Sequence, residues 1–278
     1  MTLRKSVLLL LLGMLLLSAA VASAQESEVL EGRGELEMVL IHGLGSNAKV
    51  WDQMVPYLSG IFKVATFELA GHGQTQPIAD PTIEKEVLRL EAFIKEQGFA
   101  YPTLVGHGMG GMIALKYSLD HPVDVHRLIM MDSAPVQLAS TEQKKEVAEE
   151  LLNNYDRFVA GRYSVMSPSE EITDQLIDSA LKTDRTTFVS LLMSSFDFDV
   201  TDQLNTLPVP MLIIGSELLF PHPDQTRAIL EQIGFTKARS ISFKRLGQTG
   251  HFMMLEKPVY TSSIVRVYGM DAARMLEN

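Results

Sequence analysis

The chain has 278 residues, of which 46% are hydrophobic, and its formal net charge is −10. This length is enough to bury a large core, either as one domain with an insertion or as two modest domains. The acidic balance argues against nucleic acid or an anionic membrane as a partner, and the absence of cysteine excludes disulfides, thiolate metal sites and a cysteine nucleophile.

The first 24 residues have the pattern of a secretory signal peptide. Arg4 and Lys5 precede an apolar run from Val7 to Leu17, and Ala22-Ser23-Ala24 follows as a small-residue cleavage signal. A membrane anchor is the alternative, but the run is short and its flank is small and polar. We therefore predict a secreted or periplasmic mature chain that begins near Gln25, does not bind membranes, and has a net charge of −12 because two basic residues are removed.

Strands and helices alternate along most of the remaining chain. Apolar runs predict strands at 38–41, 62–67, 104–105, 128–131, 209–214 and 241–246. Helical patterns fall at 46–58, 80–98, 112–120 and 259–268. Asp80 as N-cap and Pro81 at the first helical position mark the start of the second of these helices. The alternation predicts an α/β fold, with a mostly parallel sheet and helices on both faces.

Residues 135–206 interrupt this alternation. Two capping boxes are predicted, one from Ser140 to Gln143 and one from Ser167 to Glu170, and each opens an amphipathic helix. The first of these helices carries apolar residues as far as Phe158. A third helix is predicted at about 186–196. We expect these helices to form a cap over a mainly apolar pocket. The core is then made of two segments, residues 25–134 and 207–278.

The run LVGHGMGGMIAL at 104–115 has an unexpected residue at its centre. A strand, a tight turn and a helix follow one another, as in the G-x-S-x-G motif that lifts a serine hydroxyl to the end of a sheet. The middle residue here is Gly108, which has no side chain. Such a turn holds its central residue at backbone angles that cost a non-glycine residue on the order of 1–3 kcal/mol, and glycine removes that cost.

Five motifs in order make the chain resemble the α/β-hydrolase superfamily, specifically the hydrolases with a helical cap. They are H-G-L-G at 42–45, Trp51, G-H-G-Q-T at 71–75, the turn at 106–111, and G-H-F at 250–252 followed by E-K-P at 256–258. The resemblance covers almost all of the mature chain and implies the α/β-hydrolase fold, with a small-molecule ligand or substrate. One departure is that only about ten mature residues precede the first strand, so the family's first antiparallel hairpin is expected to be shortened or missing.

The resemblance also implies roles for individual residues. The backbone N–H groups of Leu44 and Met109, with Gly43 in the same loop, correspond to the donors that bind an oxyanion. His251 corresponds to the catalytic base, the alternative being an ordinary surface histidine. His42 and His72 are expected to hydrogen-bond their own turns.

The residue at the position of the acid that orients the base is a second departure from the family pattern. The family places an aspartate three residues after Gly215, where this chain has Leu218. Glu217 is adjacent, although on an extended chain its side chain should point the other way. Asp132 ends the strand at 128–131, a position from which some relatives supply their acid. A turn residue that caps the strand is the simpler interpretation of Asp132.

Three hypotheses about function follow. The first is a non-catalytic or weak homologue that binds a small apolar carbonyl or carboxylate compound, which the two departures together favour. The second is a hydrolase in which His251 activates water instead of a hydroxyl. The third is an ordinary esterase with a displaced nucleophile such as Ser133, although this serine is not on an elbow. No metal-ligand spacing such as H-E-x-x-H occurs, and we predict no metal and no other cofactor.

Overall fold

The computed structural model describes residues 29–30 and 34–270. The predicted signal peptide at 1–24 lies outside these residues. Within the described part of the chain, no helix has the length and apolar character needed to cross a membrane.

A single sheet of seven strands forms the centre of the fold, in the order β1-β3-β2-β4-β5-β6-β7. The strands are β1 Val29–Leu30, β2 Leu36–Ile41, β3 Phe62–Phe67, β4 Thr103–His107, β5 Arg127–Met131, β6 Met211–Ser216 and β7 Ile241–Leu246. β1 pairs with β3 in the antiparallel sense, and the other pairs are parallel. The predicted α/β-hydrolase fold is confirmed, and the antiparallel edge before β2 is only two residues long in the described chain.

Burial explains why the strands read as continuous apolar runs. Residues 38–41 of β2 and 128–131 of β5 are fully buried, since helices cover both faces of the sheet. The edge strand β7 instead alternates between half-buried and exposed residues.

The helices connect the strands and cover the sheet. They are α1 Val55–Leu58, α2 Ile83–Glu96, α3 Met109–Asp120, α4 Thr141–Asn153, α5 Tyr155–Tyr163, α6 Glu170–Lys182, α7 Arg185–Ser195, α8 Thr226–Gln232, α9 Met253–Glu256 and α10 Pro258–Gly269. The helix predicted at 46–58 is instead a 3-10 turn, Ala48–Trp51, followed by the short α1.

The predicted start of α2 was wrong by a few residues. The N-cap is Thr82, whose side chain accepts a hydrogen bond from the Lys85 N–H. Asp80 has φ +47°, which is outside the extended backbone region of a typical N-cap.

The segment 135–206 contains four α-helices, one more than the three predicted. Asn154 ends the first of them at φ −140° and ψ 42°, so the single helix predicted through Phe158 is divided into α4 and α5. The capping box at Ser140 and Gln143 is present. The second predicted box is wrong, because the N-cap of α6 is Ser169, whose hydroxyl accepts from the Ile172 N–H.

The turn after β4 depends on close backbone contact. A Cβ added to Gly106 would lie 2.3 Å from the Gly110 carbonyl oxygen, whereas one added to Gly161 in α5 would meet no atom within 4 Å. We expect Gly106→Ala to lower the free energy of unfolding by at least about 2 kcal/mol, through forced backbone displacement. Gly161→Ala should raise it by about 0.5–1 kcal/mol, through helix propensity. Urea denaturation at pH 7 measures both, and equal effects would contradict the tight turn.

Candidate active site

Gly108 lies between the end of β4 and the first residue of α3, at φ 52° and ψ −118°. Its N–H donates to the Met131 carbonyl at 3.0 Å, and its carbonyl accepts from the Ser133 hydroxyl at 2.6 Å. The turn therefore has the backbone conformation of a nucleophile elbow, and hydrogen bonds to the end of β5 and the loop after it hold it in place.

His251 faces Gly108. It follows β7, and its backbone N–H donates to the carbonyl of Met166, in the loop between α5 and α6, at 2.6 Å. A Cβ added to Gly108 would lie 3.3 Å from the His251 Nε2 atom. The imidazole therefore borders the space that a side chain at position 108 would enter, and His251 is not an isolated surface histidine.

Asp132 completes a hydrogen-bonded pair with this histidine. One carboxylate oxygen, Oδ2, lies 3.1 Å from His251 Nδ1, and the Asp132 side chain is only 1% exposed. The Ser216 backbone N–H and hydroxyl also donate to this carboxylate, at 2.7 and 2.5 Å. Because the carboxylate accepts from Nδ1–H, the neutral imidazole presents its Nε2 lone pair toward Gly108. Asp132 therefore does more than cap its strand.

Glu217 is not part of this arrangement. Its carboxylate accepts from the Gln248 N–H at 2.7 Å and lies 3.1 Å from the Arg245 guanidinium. The neighbouring Leu218 is 54% exposed. Since side chains alternate along an extended chain, Ser216 faces the buried carboxylate of Asp132 and Glu217 faces outward. The unusual residue at 218 therefore does not leave His251 without a carboxylate partner.

The loop after β2 forms the opposite wall of the site. The Gly43 Cα lies 3.9 Å from the position of a Cβ on Gly108, and Leu44 follows it. Met109 is the first residue of α3 and directly follows Gly108, so its N–H has no acceptor within the helix. Both N–H groups proposed as oxyanion donors thus belong to turns that border Gly108.

Two buried histidines hold this loop in place. His42 Nε2 accepts from the Leu69 N–H at 3.1 Å, and His72 Nε2 accepts from the Gly45 N–H at 3.0 Å. In each ring Nδ1 lies 2.8 Å from a backbone carbonyl oxygen, that of Gly43 and Ala70 respectively. Burial lowers the pKa of His42 to about 4 and that of His72 to about 3. Both rings are therefore neutral near pH 7.

These lowered pKa values predict acid sensitivity. An unfolded histidine titrates near pH 6.5, so below that pH the unfolded chain binds protons that folded His42 and His72 do not. The free energy of unfolding therefore decreases as pH falls from about 6.5 toward 4. Each histidine contributes a slope of at most about 1.4 kcal/mol per pH unit. We expect the free energy of unfolding to drop by at least about 2 kcal/mol between pH 7 and pH 5.

Chemical denaturation at pH 7, 6 and 5 measures this dependence. His72→Gln keeps an acceptor oxygen and cannot be protonated in this range, so its slope against pH should be smaller than that of the unmodified chain. A stability that is flat from pH 7 to 5 would contradict the neutral, buried state of both rings.

A cavity of about 250 Å³ adjoins Gly108. Its lining is mainly apolar, with Met112 from α3, Val136 and Leu138 from the loop before α4, Leu219 from the loop after β6 and Ile233 from the end of α8. Among the residues that the structure describes, no group of three or more histidine or acidic side chains is arranged to hold a metal ion.

The sequence profile of the alpha/beta hydrolase family matches residues 38–262. The chain belongs to this family. The matched region includes both turns that border Gly108, the Asp132 strand end and the His251 loop, so the residues brought together in the fold all lie within the family's own domain.

Curated relatives in this family are esterases at low identity. The chain is 32% identical to a pimeloyl-[acyl-carrier protein] methyl ester esterase of Aeromonas hydrophila over 133 residues, which are 46% of this chain and 49% of that protein. It is 26% identical to the enzyme of the same name from Vibrio atlanticus, over 66% of this chain and 76% of that protein. The chain thus spans about half the length of the Aeromonas relative.

Solved structures of hydrolases share the fold. A hydrolase from Oleispira antarctica superposes with a TM-score of 0.75 at 17% identity, over 85% of this chain and 92% of that chain. The enol-lactonase from Burkholderia xenovorans gives a TM-score of 0.74 at 19% identity, over 87% of this chain and 94% of that one. At these identities the likeness establishes the alpha/beta hydrolase fold only.

Two serines hold the site, of which sequence reasoning named Ser133 only as a displaced nucleophile and did not single out Ser216. Ser216 donates twice to Asp132, and the Ser133 hydroxyl donates to the Gly108 carbonyl. Strand alternation could have indicated Ser216, since an inward position beside the end of β5 must contact whatever residue ends that strand.

Proposed function

We propose that this chain hydrolyses small, activated acyl compounds with a water molecule as nucleophile, in place of the usual serine. Gly108 occupies the position from which family members present that serine. The observation that carries the proposal is the pair formed by His251 and Asp132, which is fully assembled and faces Gly108. This pair supplies an oriented base for a water molecule beside Gly108.

The acyl-enzyme route requires an oxygen nucleophile at the elbow, and glycine has none. A water molecule in the space beside Gly108 can donate a proton to His251 Nε2 and attack a bound carbonyl carbon. Removing the nucleophile of a serine hydrolase costs about a millionfold in rate, yet leaves on the order of 10³-fold acceleration over water. Turnover by this route is therefore slow but measurable.

Backbone donors are the second element of the mechanism. As water attacks, the negative charge that develops on the carbonyl oxygen is stabilised by the N–H groups of Leu44 and Met109. These donors do not depend on side-chain identity, so they survive any change at position 108 that keeps both turns in shape. Asp132 holds the protonated His251 until the proton passes to the leaving oxygen.

The cavity and the names of the relatives support a proposal for the substrate class. A mainly apolar space of about 250 Å³ accommodates a short acyl group, and the relatives described above are named as esterases and an enol-lactonase. Since water is a weaker nucleophile than an activated serine, we propose esters or lactones with good leaving groups as substrates.

A non-catalytic binding role is the second candidate, and Gly108 itself favours it. The backbone at position 108 has φ 52°, where a side chain is strained and glycine is not. A chain that no longer depends on a hydroxyl gains stability by this change. In that case the cavity and the two N–H donors bind a small carbonyl or carboxylate compound without converting it.

Turnover and labelling separate these candidates from each other and from an ordinary esterase. We expect purified protein to hydrolyse p-nitrophenyl butyrate slowly, to lose this activity with His251→Ala, and to resist labelling by a serine-directed fluorophosphonate. His222→Ala, on the chain segment before α8, is the matched control and should keep the wild-type rate. No turnover above the His251→Ala variant supports the binding role. Labelling that disappears on mutation of Ser133 would establish a displaced nucleophile and contradict both proposals.

We further propose that the protein is exported. The basic start, the apolar run from Val7 to Leu17 and the small residues at 22–24 support it. Expression of the full chain in a Gram-negative host should yield periplasmic protein whose first residue is near Gln25. An uncleaved chain in the membrane fraction would instead favour the membrane anchor, and an uncleaved chain in the cytoplasm would contradict export.

A further inference from the structure

Tyr163, at the end of cap helix α5, contacts the loop that carries one of the proposed oxyanion donors. Its hydroxyl donates a hydrogen bond to the Leu44 carbonyl oxygen, and its side chain is buried. The hydroxyl also packs against Gly45, where an added Cβ would lie 2.2 Å from the phenolic oxygen. The cap therefore touches the backbone of the site directly at this point.

The peptide group that joins Leu44 to Gly45 is held at both ends. Its carbonyl oxygen accepts from the Tyr163 hydroxyl, and its N–H donates to His72 Nε2 at 3.0 Å. Burial raises the pKa of the Tyr163 hydroxyl and lowers that of His72, so one stays a donor and the other an acceptor near neutral pH. This two-sided bonding fixes the plane of the peptide, and with it the ψ angle of Leu44.

The Leu44 N–H lies on the other side of the same Cα. Since β2 fixes the chain before Gly43 and the bonded peptide fixes it after Leu44, the N–H direction has little freedom left. An oxyanion donor is useful only when it is directed at the developing charge before the reaction begins. The same cap segment also accepts the His251 N–H through the Met166 carbonyl, which links the cap to the base as well.

We propose that Tyr163 is a positioning residue, supplied by the cap, that orients the Leu44 N–H for oxyanion binding. It acts through the Leu44–Gly45 peptide and does not contact substrate. This inference rests on the proposed function for its catalytic consequence, whereas the peptide geometry can be tested without turnover.

Tyr155 offers a matched control on the same helix. It is also buried, but its hydroxyl has no hydrogen-bond partner among the residues that the structure describes. Tyr163→Phe and Tyr155→Phe therefore remove the same atom from two buried rings of α5, and only the first removal breaks a bond to the site.

Kinetics test the catalytic consequence. Loss of a direct oxyanion donor costs about 10²–10³-fold in kcat, so misdirection of one should cost less. We expect Tyr163→Phe to lower kcat for p-nitrophenyl butyrate about tenfold with KM changed by less than about twofold, and Tyr155→Phe to leave both near wild type. Equal losses of kcat in the two variants would show that Tyr163 contributes only to packing, and would overturn the proposal.

Amide hydrogen exchange tests the geometry without any activity. The Gly45 N–H should exchange slowly in the unmodified chain and at least about fivefold faster in Tyr163→Phe, with no change in Tyr155→Phe. Unchanged exchange in Tyr163→Phe would overturn the proposal even if the protein is active. If the exchange rates are as expected but the unmodified chain shows no turnover, the proposed hydrolysis is contradicted and the positioning role of Tyr163 is not.

A measurement on the unmodified chain covers the case in which Tyr163→Phe does not fold. A tyrosine hydroxyl proton that is buried and bonded to a carbonyl exchanges slowly enough to give its own NMR signal. We expect such a signal for Tyr163, with a nuclear Overhauser contact to the Leu44–Gly45 backbone. A folded chain without it would refute the bond.

Discussion

Gly108→Ser is expected to increase the rate of ester hydrolysis by at least about 100-fold over the unmodified chain. The proposed base and its carboxylate partner are next to position 108. His251 Nε2 lies 3.3 Å from the position of a Cβ on residue 108, and Asp132 lies 3.1 Å from the other ring nitrogen. A hydroxyl at position 108 would therefore enter next to an oriented base, and the variant should be labelled by a fluorophosphonate reagent.

The gain should fall short of a full restoration. A contact of 3.3 Å is tight for a Cβ atom, so the imidazole must move by a few tenths of an ångström. The backbone at φ 52° also strains any side chain, at a cost on the order of 1–3 kcal/mol. We expect the free energy of unfolding of Gly108→Ser to drop by that amount while its activity rises.

Gly108→Ala is the matched control for this prediction. It introduces the same Cβ and the same backbone strain without a nucleophile, so stability should fall as in Gly108→Ser with no increase in rate. Adding Leu218→Asp to Gly108→Ser should change the rate by less than about twofold, because Asp132 already holds His251. A serine variant that is folded, unlabelled and no faster than Gly108→Ala would show that the site is not assembled as described.

The positions of most strands along the chain and the parallel sheet could be predicted from the sequence. Buried parallel strands such as β2 and β5 are continuous apolar runs, and short loops separate them from helical patterns, so local signals were sufficient. The α4–α5 boundary could not be predicted, since the apolar spacing continues past Asn154. That residue leaves the helical region at φ −140° and ψ 42°, and the apolar spacing carries no signal of this break.

The carboxylate that pairs with His251 could not be identified from a sequence motif, because the pairing depends on which residues the fold brings together. Glu217 is the carboxylate nearest in sequence to the family's usual place, but it bonds to Gln248 and Arg245 on the exposed side. Asp132 is 119 residues from His251 in sequence and reaches it only because β5, β6 and β7 are successive neighbours in the sheet, so that the loops after β5 and β7 lie at the same edge. A pattern within one strand cannot report such a contact. The same holds for Tyr163 and Leu44, which the cap brings together across 119 residues.

The identity of the acid leads to the second large effect. In the Gly108→Ser background, we expect Asp132→Asn to lower kcat by about 10³–10⁴-fold. Ser216 donates both its N–H and its hydroxyl to the Asp132 carboxylate, and His251 Nδ1 lies 3.1 Å from Oδ2. An asparagine has one acceptor oxygen for these three donors.

The substitution also changes the tautomer of the base. If the asparagine oxygen accepts from the Ser216 N–H, the amide NH₂ faces His251 and favours the ring form with Nδ1 unprotonated. Nε2 then carries the proton and can no longer accept one from the serine at position 108. The loss should therefore appear in kcat and in fluorophosphonate labelling, while KM and the unfolding midpoint change much less.

Glu217→Gln is the matched control, since it makes the same acid-to-amide change at the carboxylate nearest in sequence to the family position. It removes a charge next to Arg245 at the exposed surface and leaves the Asp132–His251 pair untouched. We expect its kcat to stay within about twofold of the Gly108→Ser parent. The reverse pattern, a large loss with Glu217→Gln and none with Asp132→Asn, would mean that the working site rearranges around a different acid. Equal large losses would show that both carboxylates support the loop after β7 rather than the chemistry of His251.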